Sequence, residues 1–182
     1  MFRELLVKRV SDFCQLSAPQ LDQLQQHYEL MLRWNKTINL TRIEGIEEAV
    51  DRHYAESLFL GSKLPDGPLK IADVGSGAGF PGIPIAILRP EVSVSLIESH
   101  QRKAVFLKEA SRTLPNVSVI PKRAEDLHQT FDWVVSRAVS WNDLQGLALS
   151  RRVALIGTDA PGRFIQLPWA NERNLVIVSR ET

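Results

Sequence analysis

The feature that most constrains this chain is an apolar run that stops abruptly in glycines. Leu69-Lys70-Ile71-Ala72-Asp73-Val74 leads straight into Gly75-Ser76-Gly77-Ala78-Gly79-Phe80-Pro81-Gly82. A strand that ends in such a turn before a helix exposes backbone N–H groups, unobstructed by side chains, to whatever lies over the helix N-terminus. A nucleotide-containing ligand is expected there. Further strand-like runs fall at 92–98, 117–120, 131–136, 153–156, 163–167 and 174–179, with helical stretches at 83–88, 102–113 and 142–149. Buried strand alternating with helix predicts a mostly parallel sheet with right-handed crossovers. The last two strands lack a helix between them and predict an antiparallel finish.

Residues 2–60 follow a different period. Leu21, Leu24, Tyr28 and Met31 recur at three- and four-residue steps, and Ser17-Ala18-Pro19-Gln20 offers an N-cap, a first-turn proline and a capping-box glutamine. Two or three helices are expected, interrupted by an ordered polar loop at 34–41. The organisation is thus a helical cap over 1–63 and an α/β unit over 64–182. One cysteine, Cys14, excludes an intrachain disulfide and a cysteine-rich zinc cluster, and points to a reducing compartment. No metal site is expected. The N-terminus has no apolar run of signal-peptide or membrane-spanning length, so the chain reads as cytoplasmic, away from membranes, and by default a monomer. The net charge of +1 conceals a bias: six cations against one acid between His100 and Arg123, and five acids against one arginine from Glu44 to Glu56.

Residues 77–82 also satisfy the dinucleotide pattern G-x-G-x-x-G, with Glu98 where a ribose-binding acid belongs. A dinucleotide-dependent oxidoreductase is therefore one reading. Asp73 opposes it, because a carboxylate beside the loop repels a pyrophosphate but attracts the ammonium and sulfonium charges of S-adenosylmethionine. Asp73 could also simply bond the backbone of the turn. Among the histidines, His27, His53, His100 and His128 are scattered and read as packing or surface residues. For a methyltransferase, Cys14 is far in sequence from the sheet, which disfavours pyrimidine C5 chemistry. The strand at 131–136 is followed by Ser136-Arg137-Ala138, not by the polar-Pro-Pro-aromatic loop of amine methylation. A ring nitrogen such as guanine N7 needs no general base, and Arg137 is placed to hold a phosphate, a guanine O6 or the ligand carboxylate.

Several short runs occur in a specific order: Trp34-Asn35-Lys36 with Asn39-Leu40-Thr41, Arg52-His53 with Ser57-Leu58, residues 73–84, Glu98-Ser99 with Lys103 and Phe106-Leu107, Arg123-Ala124-Glu125, and Ser136-Arg137-Ala138. In these the chain resembles the bacterial small-subunit ribosomal RNA guanine-N7 methyltransferase family RsmG, also called glucose-inhibited division protein B. The resemblance implies a class I S-adenosylmethionine-dependent methyltransferase fold, a Rossmann-like α/β architecture with an N-terminal helical cap. It implies methyl transfer from S-adenosylmethionine to N7 of a guanine in the 530 loop of 16S rRNA, with 16S rRNA or the small ribosomal subunit as partner.

The cofactor residues expected are Asp73, Gly75, Gly77, Gly79, Phe80, Glu98, Ala124, Glu125 and Arg137, the last also at the target base as the catalytic residue. Arg102, Lys103 and Arg123 are the expected RNA contacts, since clustered positive charge binds phosphates. Where the family commonly has a lysine before the glycine that ends strand five, this chain has Ile156-Gly157, and the 139–161 stretch is shorter than usual. A non-catalytic RNA- or ribosome-binding form of the same fold is the remaining alternative.

Overall fold

In the computed structural model, residues 1–157 and 159–180 are described. Thr158, inside the shortened stretch, and the last two residues of the α/β unit lie outside them. The cap begins with α1 (Phe2–Val10) and α2 (Ala18–Asn35). The predicted capping box of α2 forms: Ser17 Oγ accepts from Gln20 N at 3.4 Å and Gln20 Oε1 from Ser17 N at 2.9 Å. The Gln20 amide then donates to the carbonyls of Ile87 and Leu88, tying the cap to the end of a helix in the α/β unit. The polar loop is ordered by Asn35, whose Oδ1 accepts from both Leu40 N (2.9 Å) and Thr41 N (3.0 Å).

The cap continues with α3 (Ile46–Glu48), a π-helical segment (Ala49–Ala55) and α4 (Glu56–Lys63) without a break in the chain. Arg9 donates to both carboxylate oxygens of Asp51, joining α1 to the π-helical segment. Then follow β1 (Lys70–Val74), α5 (Gly82–Leu88), β2 (Ser93–Ile97), α6 (Gln101–Ala110), β3 (Val117–Ile120), β4 (Trp133–Ser136), α7 (Trp141–Leu144), β5 (Arg152–Gly157), β6 (Arg163–Gln166) and β7 (Asn174–Ser179). The sheet order is β3-β2-β1-β4-β5-β7-β6. Strands β1 to β5 run parallel, and β7 lies antiparallel between β5 and β6, the finish anticipated from the sequence.

Two helices stop earlier than their periodicity suggests. α6 ends at Ala110, where the Ser111 hydroxyl bonds the Leu107 carbonyl and Pro115 lies ahead. α7 has four residues, where 142–149 was expected to be helical. Gly146 disfavours continuation, and Arg180 satisfies the carbonyls of Leu144 (2.9 Å) and Leu147 (2.8 Å) in place of helical N–H groups.

One face of the sheet shares a continuous core with the cap, in which Leu6, Leu24, Met31, Tyr54, Leu58, Ile83 and Phe106 are all buried. The other face is covered by Leu144, Leu147, Leu149 and Ala124. No helix among the described residues is long and apolar enough to cross a membrane.

Candidate functional site

The order of the strands reverses between β1 and β4, which lie side by side in the centre of the sheet, and open parallel sheets bind ligands beyond the carboxyl ends of strands at such a point. The glycine turn lies there. Gly75 N and Ser76 N both donate to the Ile97 carbonyl, at 3.0 and 3.2 Å, so the end of β2 anchors the turn. Glu98, the next residue, accepts from Gly77 N through Oε2 (2.8 Å) and from His100 N through Oε1 (3.0 Å). Gly75 and Gly77 have φ of 70° and 56°, in the left-handed region where a side chain is strained. A Cβ on Gly75 would also stand 2.6 Å from Val139 Cγ2.

Asp73 is enclosed by the loop it precedes. Its Oδ2 accepts from Gly82 N at 2.8 Å, while Oδ1 is buried without a partner among the described residues. Burial pushes its carboxyl up to about 7, against the stabilising bonds from Gly82 and Ser76. Asp73 thus bonds the backbone of the turn, the plainer of the two roles considered for it.

Beside the turn is a cavity of about 260 Å³ at the carboxyl ends of β1, β2 and β3. Gly75, Glu98, Arg123, Ala124 and Glu125 line it, together with Val139 and Asp143. The short 3-10 turn Ala124–Asp126 carries two of these residues to the rim. Asp73, Gly77, Gly79, Phe80 and Arg137 are not in the cavity wall. Gly77 touches it indirectly, through its bond to Glu98. Arg102 is exposed on α6, and Lys103 lines a different cleft. No cluster of potential metal ligands occurs among the described residues.

Behind the turn, Phe80 is buried and stacked on His53, with ring centroids 4.4 Å apart and planes 6° from parallel. The Arg137 guanidinium lies over the same Phe80 ring at 5.4 Å and donates through Nη1 to the Arg52 carbonyl at 2.6 Å. Burial lowers the Arg137 pKa to about 10, a value at which it is still cationic at neutral pH. His53 bonds Thr41 Oγ1 through Nε2 at 2.8 Å, and its Nδ1 is buried without a partner among the described residues. Burial, with Arg137, His27 and Arg52 nearby, depresses its pKa to about 2.

His27 forms a second strut. Its Nε2 lies 2.8 Å from the Ala78 carbonyl, which can only accept, so Nε2 carries the proton and Nδ1 accepts from the Tyr54 hydroxyl at 2.8 Å. The cap therefore grips the glycine turn at Ala78 and Phe80. His27 and His53, which read from the sequence as packing or surface histidines, are both packing residues, and their position on the turn leaves no mark in the sequence. For His53 the Arg52-His53 pair was a visible signal, but nothing in the sequence marked the π-helical segment that carries it.

Comparison with known proteins adds the relationship. A family model described as rRNA small subunit methyltransferase G (GidB) matches residues 20–149. The ribosomal RNA small subunit methyltransferase G of Chromobacterium violaceum is 42% identical over 130 residues, which are 69% of this chain and 62% of that protein. Its counterpart in Nitrosomonas europaea is 49% identical over 123 residues, 64% of this chain and 56% of that protein. The chain therefore spans less than two thirds of the length of these two relatives. The protein of the same name in Lactococcus lactis subsp. cremoris SK11 is 33% identical over 203 aligned positions, covering 92% and 85%.

Among solved structures, a ribosomal protein L11 methylase from Lactobacillus delbrueckii subsp. bulgaricus superposes with a TM-score of 0.56 at 16% identity, over 71% of this chain and 79% of that one. A SAM dependent methyltransferase from Aquifex aeolicus gives 0.54 at 14% identity, over 72% and 92%. At these identities the likeness concerns the fold, which is the class I methyltransferase architecture expected from the sequence. With the model match covering most of its length, the chain belongs to the GidB family, rRNA small subunit methyltransferase G.

Proposed function

We propose that this protein transfers a methyl group from S-adenosylmethionine to N7 of a guanine in the 530 loop of 16S rRNA. The observation that carries the reading is the cavity at the carboxyl ends of three neighbouring parallel strands, walled by Gly75, Glu98, Ala124 and Glu125. These residues suit the donor. Each Glu98 oxygen is already bonded to a backbone N–H but keeps a second lone pair, with which it can accept from a ribose hydroxyl. Glu125 and the Ala124 backbone, on the rim of the cavity, suit an adenine edge, and Gly75 presents bare backbone to the cavity. S-adenosylmethionine supplies an electrophilic methyl on a sulfonium centre.

The remaining chemistry asks little of acid or base. Guanine N7 presents an in-plane lone pair and no proton, so orientation and exclusion of water suffice. That fits a site whose nearest histidines are buried and neutral. Arg137, held by Phe80 and the Arg52 carbonyl, would orient the guanine O6 or a phosphate, while Arg102, Lys103 and Arg123 would meet the RNA backbone.

The test is incubation with methyl-labelled S-adenosylmethionine and small ribosomal subunits from cells lacking this gene. Label in 16S rRNA is the expected result. Donor binding with no transfer would instead select the non-catalytic RNA-binding form, and a fluorescence change with reduced nicotinamide cofactor would select the oxidoreductase.

A further inference from the structure

A cleft of about 710 Å³ separates the 35–44 loop of the cap from the first turn of α6, and none of its residues lines the donor cavity. We propose that this cleft is a nucleotide subsite that holds a ribonucleotide flanking the target base in a single-stranded RNA. The identity of the ligand as RNA rests on the methyl-transfer reading above. The geometry of the cleft does not.

Two cations face the cleft from opposite elements, Arg42 from the loop and Lys103 from the helix. Neither makes an ion pair or a side-chain hydrogen bond among the described residues, whereas Arg9, Arg52, Arg89 and Arg173 are each paired with an acid. The positive end of α6 adds to their field. A bare anion site would stop there, but this cleft also carries hydrogen-bonding edges. The Oδ1 of Asn35 is committed to two backbone N–H groups, which fixes the orientation of the amide and leaves its Nδ2 donors without a partner among the described residues. Asn39 is exposed beside it, and Glu44 offers an acceptor.

Amide donors and a carboxylate acceptor together match the Watson–Crick and Hoogsteen edges of an unpaired base, and the two cations match its phosphate. In an RNA duplex the first edge is taken up by pairing and the second lies in a deep, narrow groove. Location supports the pairing of the two sites. Glu98 and Ser99 line the donor cavity, and Lys103 lines the cleft just beyond the His100 cap of the same helix. On the cap side, Thr41 belongs to the cleft and bonds His53, whose ring stacks on Phe80 of the glycine turn. A strand crossing the start of α6 would bring its target base to the edge of the donor cavity and its flanking nucleotide into the cleft.

The experiment compares the unmodified protein with Arg42→Ala/Lys103→Ala and with Asn39→Ala, using a short fluorescein-labelled single-stranded RNA of the 530-loop sequence. The double variant is expected to bind at least tenfold more weakly by anisotropy. Its plot of log affinity against log salt should be shallower by about 0.7 to 1.4, one or two phosphate contacts. Asn39→Ala should weaken binding with the salt slope unchanged. Melting temperature and S-adenosylmethionine affinity, both expected unchanged, exclude misfolding as the cause.

Equal RNA affinity in all three proteins overturns the subsite, as does failure of the unmodified protein to bind this RNA. Unchanged binding to naked RNA with lost binding to small subunits would overturn it in favour of an acidic protein partner. RNA binding lost in the variants, in a protein that transfers no methyl group, would leave the subsite standing and remove the methyl-transfer reading.

Discussion

Glu98→Gln isolates the contact that shapes the donor site. Glu98 is buried, and its two oxygens accept from Gly77 N at 2.8 Å and His100 N at 3.0 Å. Glutamine keeps one carbonyl oxygen but must turn its NH2 toward the other N–H donor, so one charge-assisted bond is lost. Such a bond contributes about 1.5–3 kcal/mol, which for a chain of this size lowers the melting temperature by about 3–12 °C. The consequence for ligand binding is separate, because the released N–H is either that of Gly77, which frees the turn, or that of His100, which frees the start of α6. The retained oxygen is also uncharged and a weaker acceptor for a ribose hydroxyl. Affinity for S-adenosylmethionine should fall more than tenfold, a loss of about 1.4 kcal/mol or more. Calorimetric titration at a temperature where both proteins are folded separates the two effects. A variant that melts within 1 °C of the parent and binds the donor within about twofold would refute the assignment of Glu98 to both roles.

Other perturbations follow from the same contacts. Gly77→Val places a β-branched side chain at a φ of 56°, with open space around it, and should abolish donor binding while the fold persists; retained affinity in calorimetry would contradict it. Arg173→Met leaves Glu56, only 1% exposed, without the partner that bonds both its oxygens. The cost should be about 1–3 kcal/mol in chemical denaturation, below that of a fully buried pair because Arg173 is partly solvated, and Glu56→Gln in the same chain should recover part of it. The pH dependence has a defined sign. His27 and His53 are depressed to about 4 and about 2 from 6.5, so the unfolded chain takes up their protons first and stability falls as pH drops below about 6.5. Asp73, raised to about 7 from 3.8, binds its proton in the folded state first and opposes that trend. Melting curves from pH 4 to 6.5 should therefore be steeper for Asp73→Asn and flatter for His27→Gln, and parallel curves would contradict the assignment. Replacing Arg123 and Arg137 together should weaken methylation of ribosomal particles, and unchanged turnover would remove both from the site.

What the sequence made legible was local. The glycine turn, the parallel strands and the Ser17/Gln20 capping box follow from short-range rules, because glycines that must reach positive φ and side chains that bond their own backbone leave marks within a few residues. The acid at Glu98 was legible for the same reason, being one strand on from the turn. Long-range partners left no such mark. The short α7 depends on Arg180 arriving from the end of β7 to bond the carbonyls of Leu144 and Leu147, and no pattern within 142–149 encodes that. The histidines are similar: His27 looks like any residue on a helix face until Tyr54 and Ala78 meet its two nitrogens. Phe80 and Arg137, expected near the cofactor from the family resemblance, are brought together behind the turn by the π-helical segment, whose His53 ring stacks on Phe80 and whose Arg52 carbonyl accepts from Arg137.

The most direct test of the central claim locates the methyl group. Small subunits from cells lacking the gene, incubated with the protein and methyl-labelled S-adenosylmethionine, are cleaved chemically at N7-methylguanine and the scission sites mapped. A single new scission in the 530 loop is the result this account predicts. Label at another base, at another position of the ring, or in no RNA although the donor is bound, would contradict it.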